Sequence, residues 1–375
     1  MHRRTFLTSS LGISLAALGA GCQRTPTGDL TLALLAGSVP VQLIQTFQRQ
    51  QADLGQVAIM AKDSLLQLYT LLQTWHTPAA AAAATPTAIA HWVTQADYWL
   101  APIIQQGLIQ PIQTDDLERW SQLPGVWPPL VRRDRQGWVE ARGAVWGLPY
   151  RWTVLAMLYD THRLDTPLQS WSDLLQPALT RRLMLPEHPR LVLGLALKAL
   201  GASANSADPR AVKGLESFLA SLQQQVRWYN SDHSLKALAA GDGAAVVGWL
   251  DALLPVMKRY RHLQVAIPPE GTLASADLWV QPSRAQAAQP LATDWLNFSL
   301  AADFTTQMAV YSQGLSPWLW DTPGNQWPAV LQDQAKLLTQ PGLLERSEFL
   351  EPLPPTAQAR YDQLWEQMRR STLTG

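Results

Sequence analysis

The sequence predicts an α/β protein built as two lobes. Three observations carry this: short apolar strands alternate with amphipathic helices, 375 residues exceed one ordinary domain, and no internal repeat divides them. Apolar residues make up 47% of the chain, enough for sizeable cores.

The elements follow in order. Leu30–Leu35 reads as a buried strand, broken by Gly37-Ser38-Val39-Pro40, and Val41–Gln50 places Leu43, Ile44 and Phe47 at helical spacing. Gln56–Ala61 is the next strand, Ser64–Trp75 an amphipathic helix, and His91–Thr94 a third strand. The alanines of 79–84, bounded by Pro78 and Pro86, read as a loop insertion or a frayed helix. Leu100–Gln106 is a helix closed by Gly107. Two apolar stretches between Ala144 and Tyr159 flank Pro149, as expected of a chain that leaves one sheet and enters another. Ser170 caps a helix over Ser170–Leu175, and Leu183–Leu185 is a strand. Helices are expected over Arg190–Leu200 and Ala211–Gln225, and strands over Ala244–Trp249, Val265–Pro268 and Leu278–Gln281, the last ended by Pro282. Thr293–Ala309 and Pro354–Arg370 are helical. The alternation implies largely parallel sheets.

Composition excludes several functions. Lys+Arg and Asp+Glu balance at 29 each, so the chain has no general field for nucleic acid or an anionic bilayer. A single cysteine, Cys22, excludes an internal disulfide framework and a cysteine-based zinc cluster, and the seven histidines lack metal-ligand spacing. No metal or cofactor is expected. The 17 Trp exceed what packing a core needs. No enzyme motif survives inspection: there is no Gly-x-Ser-x-Gly, His-Glu-x-x-His or Gly-Lys-Ser/Thr string, and Gly241-Asp242-Gly243 lacks the third glycine of a dinucleotide loop. No catalytic residue is assigned.

The first residues set the compartment. Arg3-Arg4 before Thr5-Phe6-Leu7, then an apolar run over Leu11–Ala20, describe an export signal over 1–21 that looks like the twin-arginine type. The run is too short to span a bilayer. Leu18-Gly19-Ala20-Gly21-Cys22 resembles a lipoprotein box, with Gly19 where a large aliphatic residue is usual. The expected protein is therefore extracytoplasmic, lipid-anchored at Cys22 and followed by a spacer over 22–28; an ordinary cleaved signal with an incidental cysteine is the alternative.

From Leu30 to Pro317 the order of motifs resembles the periplasmic spermidine/putrescine-binding receptors of bacterial ABC importers, in a divergent branch. The pieces are Gly37-Ser38-Val39-Pro40, Ala96-Asp97-Tyr98-Trp99-Leu100, Gly107-Leu108-Ile109-Gln110-Pro111-Ile112, Gly147-Leu148-Pro149-Tyr150-Arg151-Trp152 and Ser170-Trp171-Ser172-Asp173-Leu174-Leu175. Then come Leu195–Gly201, Val247-Gly248-Trp249, Ile267–Thr272 and Ala276-Asp277-Leu278-Trp279-Val280. Their order and spacing together carry the likeness, since each alone is weak.

The resemblance implies a periplasmic-binding-protein fold of type II, with the ligand in a cleft between lobes joined by two crossing strands. The crossings fall near Leu148–Trp152 and Asp277–Val280. Lobe 1 is then 29–148 with 277–325, lobe 2 is 149–276, and 326–375 is a C-terminal helical segment. A permease is the implied partner, and lobe closure both dries the ligand and presents it.

In that family protonated amines sit between carboxylates and aromatic faces, where a cation over an indole gains roughly 0.5–2 kcal/mol. The resemblance carries this role to Tyr98, Trp249 and Asp277. Each has a structural alternative: a strand-end aromatic, a core tryptophan and a turn cap, respectively. Other pocket positions depart from the family pattern: Leu35 and Ala36 replace an aromatic–hydroxyl pair, His188 and Leu191 an acidic pair, Ser275 a tryptophan and Leu315 a tyrosine. The losses weaken the case for spermidine. His188, Arg190 and Arg151 offer instead to hold an anionic or zwitterionic solute, unless Arg190 merely pairs with Glu187 on the surface. The expected function is an extracytoplasmic solute-binding component of polyamine type. The alternative is a receptor-derived structural or regulatory protein that no longer binds polyamine.

Overall fold

The computed structural model describes residues 28–77, 88–230, 233–285 and 290–370. The expected export signal, Cys22 and the Ala79–Ala84 tract lie outside them.

The first half of the fold is β1 (Leu30–Leu35), α1 (Val41–Gln50), β2 (Val57–Lys62), α2 (Leu65–His76), β3 (Trp92–Ala96), α3 (Leu100–Gln105), β4 (Ile109–Gln110) and α4 (Trp127–Val131). A small hairpin of β5 (Arg132–Arg133) and β6 (Ala144–Val145) leads into the long β7 (Leu148–Asp160). The second half holds β8 (Leu183–Leu185), α5 (Pro189–Ala199), α6 (Leu215–Gln225), β9 (Val226–Tyr229), α7 (Ser234–Ala239), β10 (Ala245–Trp249), α8 (Leu250–Arg259) and β11 (Leu263–Ala266). Then β12 (Leu273–Pro282) returns to the first half, followed by α9 (Pro290–Ser299), α10 (Ala302–Ser312), α11 (Gln332–Leu338), α12 (Leu343–Arg346), β13 (Glu348–Phe349) and α13 (Pro355–Arg370).

One sheet runs through both halves in the order β2-β1-β3-β12-β7-β10-β8-β9. Within each half the strands are parallel: β1 with β2 and β3, and β8 with β9 and β10. The two strands that change halves, β7 and β12, run antiparallel to each other and to β3 and β10, so the sheet is mixed rather than largely parallel. Residues following the carboxyl ends of β1, β3, β8 and β10 are thereby directed toward the β7–β12 crossing, where α/β folds ordinarily hold ligands.

Sequence and structure differ at several elements. Pro149 does not divide the strand; β7 continues through it because the ladder skips Tyr150, pairing Arg151 with Asp277 and Pro149 with Leu278. That bulge accommodates a residue without an N–H. β12 begins five residues earlier than predicted and includes Pro282, which pairs with Ile109 of β4. Thr293–Ala309 is two helices separated at Leu300–Ala301, where the Ser299 hydroxyl donates back to the Trp295 carbonyl. Gly214, at φ +89, delays α6 to Leu215.

The tryptophans go largely into packing. Trp75, Trp127, Trp152, Trp171, Trp279 and Trp295 are fully buried. Several indoles donate to carbonyls that side chains would otherwise bury unpaired: Trp127 to Pro317, Trp152 to Ser316 and Trp171 to Gly271. One core surrounds β1, β3 and β12 with Trp75, Trp279 and Trp295; a second joins Met157, Trp171, α5, α6 and the inner face of α13.

Candidate functional site

Two polar clusters lie where the halves meet. The first is on the crossing strands. Arg151 of β7 forms an ion pair with Asp277, its register partner on β12, and reaches Asp251 at 3.4 Å on the first turn of α8. The Thr153 hydroxyl donates to the other Asp251 oxygen at 3.0 Å. Burial works against the Arg151 charge, but the two carboxylates outweigh it and hold its pKa above the ordinary value. One guanidinium thus serves two acids.

The second cluster surrounds a cavity of about 320 Å³. Asp97 and Tyr98 enter it just beyond β3, Arg133 from β5, His188 and Arg190 from the start of α5, and Glu351 from the segment before α13. The Tyr98 and His188 rings meet edge-on, 5.5 Å apart. Asp97 is fully buried; one oxygen accepts from the Ser275 hydroxyl at 2.8 Å and the Ala276 N–H at 3.0 Å. Burial raises its pKa to about 7, against those two hydrogen bonds and Arg133. Burial, and then Arg190, lower the His188 pKa to about 4, so its imidazole is neutral near pH 7. Burial also raises the Tyr98 phenol.

The structure brings some predicted residues together and separates others. Arg151 and Asp277 are bonded to each other, while Tyr98, His188 and Arg190 share the cavity. Trp249 does not line that cavity; it ends β10 opposite Leu155 and packs on the second core. Arg190 is not the surface partner of Glu187, which pairs with Arg369 at 3.1 Å. It is buried instead, donating to the Glu351 carbonyl and to Asn205 Oδ1. Of the departures from the family pattern, Leu191 and Leu315 are core residues and Ser275 holds Asp97. Leu35 packs against the first core, and Ala36 donates its N–H to the Lys62 carbonyl.

Asp97, Arg133 and Asp251 were not singled out from sequence. Asp97 adjoins Tyr98 in Ala96-Asp97-Tyr98-Trp99-Leu100 and Asp251 lies two residues past Trp249, so position offers a signal for both; Arg133 offers none. A larger depression, about 620 Å³, is lined by none of these residues. Among the described residues no cluster of His, Cys, Asp and Glu is placed to hold a metal ion, and no helix is long and apolar enough to cross a membrane.

Comparison with known proteins bears on the family and the fold. The family described as bacterial extracellular solute-binding protein matches residues 73–325. The spermidine/putrescine-binding periplasmic protein of Escherichia coli is 25% identical over 218 residues, covering 58% of this chain and 60% of that protein. The protein of the same description from Salmonella typhimurium is 24% identical over the same length. The chain therefore spans about 60% of the length of these curated relatives. Among solved structures, the spermidine/putrescine ABC transporter substrate-binding protein of Streptococcus pneumoniae superposes with a TM-score of 0.75 at 19% identity, covering 91% of this chain and 98% of that one. A lipoprotein of Treponema pallidum gives 0.68 at 15% identity, covering 90% and 98%. At these identities the likeness to solved structures is one of fold.

Proposed function

The chain belongs to the bacterial extracellular solute-binding protein family, a transport family rather than an enzyme family, and from this we propose that it is the solute-receiving component of an ABC importer of polyamine type. It takes a small amine-bearing or zwitterionic solute and passes it to a permease. The lobes are 29–148 with 277–325 and 149–276, and the solute lies in the cleft between them. The observation that carries this reading is the convergence of strand ends from both halves on one polar cavity beside the β7–β12 crossing. The curated relatives, named for spermidine and putrescine, support the amine.

Tyr98 and His188 form walls of the site, and Trp249 and Asp277 flank it at the crossing. Because Asp277 Oδ2 is held by Arg151, a ligand amine that takes that oxygen displaces the guanidinium. Cys22, at the end of the export signal, carries the lipid that tethers the protein outside the cytoplasm. Nucleic acid is not a partner.

Thermal denaturation of a chain lacking residues 1–22, followed by tryptophan fluorescence, tests the proposal against putrescine, spermidine, amino acids, organic acids and sugars. A receptor shows a saturable rise in Tm with one solute class, because a ligand bound only to the folded state stabilises it by mass action. No shift with any of them would overturn the receptor reading in favour of a structural or regulatory role.

A further inference from the structure

The cavity beside Tyr98 holds more unsatisfied charge than a packed interior tolerates. Arg133 and Arg190 are 2% and 8% exposed. Among the described residues neither forms an ion pair within 4 Å. Arg133 spends one amino group on the Leu130 carbonyl at 2.7 Å, while its Nε and Nη1 have no partner. Arg190 is anchored by the Glu351 carbonyl and Asn205 and lies 4.9 Å over the Tyr361 ring, yet its Nε is also unpartnered. A buried guanidinium without a counter-ion is costly, and buried polar atoms are ordinarily paired.

The acceptors are as telling as the donors. Asp97 Oδ1 is satisfied by Ser275 and Ala276, but the buried Oδ2 has no partner, and neither has His188 Nδ1. The residues that carry these buried, unpartnered donors and this carboxylate oxygen therefore line one cavity. Of the other acids, Asp277 and Asp251 are each bonded to Arg151, and Glu351 of the cavity lining is exposed to solvent. A diamine offered to this site finds the buried Asp97 oxygen and the exposed Glu351 carboxylate set against two arginines. A molecule with one positive and one negative end finds a partner for each.

We infer that the cavity is a zwitterion site for a small amino acid, its carboxylate received by Arg133 with Arg190 close by, and its ammonium by Asp97 Oδ2. A volume of about 320 Å³ suits such a ligand, being at the lower end of the usual small-molecule range. Charge-assisted hydrogen bonds in a dry cavity supply the selectivity. Arg133 and Asp97 become the specificity-determining pair, and the family-type amine position at Asp277 is filled from within by Arg151.

The inference rests on the receptor reading, and calorimetric titration separates the two. The chain lacking residues 1–22 is titrated with glycine, glutamate, ornithine and 4-aminobutyrate, then with the N-acetyl and amide forms of the tightest binder, and with succinate and putrescine. The expected result is saturable binding of one amino acid, weakened at least tenfold by blocking either end. Arg133→Gln should weaken it at least thirtyfold; the blocked ligands test the same contacts on the unaltered protein if that variant does not fold. Tight putrescine binding without amino-acid binding overturns the zwitterion site and keeps the receptor. Unaltered affinity for an N-acetylated ligand overturns the role of Asp97. Absence of binding by every amine, acid and amino acid, with no thermal shift from a sugar, overturns both readings.

Discussion

Arg151 and Asp277 face each other in register across the antiparallel strands β7 and β12 and form an ion pair there, at the point where both strands pass between the halves of the fold. The side chains are only 13% and 15% exposed. Removing one member of such a buried pair leaves a charge stranded and typically costs about 3–5 kcal/mol. Asp251, at 3.4 Å, keeps some of the compensation in an Asp277 variant. Asp277→Ala is therefore expected at the low end, and Arg151→Met, which strands two carboxylates, at the high end. Urea denaturation of both variants checks the order; the reverse order would contradict the shared-cation arrangement.

The cavity predicts two opposing pH dependences. Asp97 has a folded pKa of about 7 against an ordinary 3.8, so its contribution to stability is full below 3.8 and is lost as pH rises through about 7. His188 has a folded pKa of about 4 against 6.5, so its contribution is full above 6.5 and is lost as pH falls through about 4. In the wild type the slopes partly cancel. Asp97→Asn should gain on the wild type as pH rises from 4 to 7, and His188→Gln as pH falls from 6.5 to 4. Unfolding free energies measured across pH 4–7.5 check this, and parallel curves for all three proteins would refute it.

Much of the scaffold is legible because local signals agree. The apolar run of β1 stops where Gly37 takes φ +77, α1 starts after Pro40, and the Ser64 hydroxyl accepts the Gln67 N–H at the start of α2. Where tertiary contacts override a local signal, reading fails: Pro149 looks like a break until the bulge at Tyr150 is seen, and Pro255 hides α8 although the helix runs through it. The site follows the same division. Tyr98, His188 and Asp277 come through a family resemblance. Arg133 does not, because a buried arginine reads in sequence like an exposed one. Nor does the bond between Arg151 and Asp277, which joins residues 126 apart.

Gly271 sets the entry to β12. Its φ is +96, and a Cβ there would lie 2.2 Å from the Arg346 carbonyl oxygen. The same junction docks the C-terminal segment, through Thr272 N–H to Ser347 Oγ and Glu348 N–H to the Thr272 carbonyl. Both strain and collision fall on backbone, which has no rotamer to yield. Gly271→Ala should lose about 1–3 kcal/mol from conformation alone, and more from the contact. Gly125→Ala, where an added methyl meets nothing within 4 Å, should be near neutral. Equal Tm values for the two variants would show that the junction relaxes freely.

Tyr361 connects the C-terminal helix to the cavity. From α13 its ring is fully buried in the second core, its hydroxyl donates to the carbonyls of Ala204 at 3.0 Å and Ser206 at 3.2 Å, and its face carries the Arg190 guanidinium. These roles come apart by substitution. Tyr361→Phe keeps the ring and loses only the hydroxyl, so it should cost about 1 kcal/mol of stability and leave ligand affinity nearly unchanged. Tyr361→Ala removes the ring, costing about 3–5 kcal/mol, and frees Arg190 to reorient. Affinity for the solute should then fall severalfold even at temperatures where the variant remains folded. If the alanine variant binds as tightly as the phenylalanine variant, Arg190 is held by Glu351 and Asn205 alone, and α13 only completes the core.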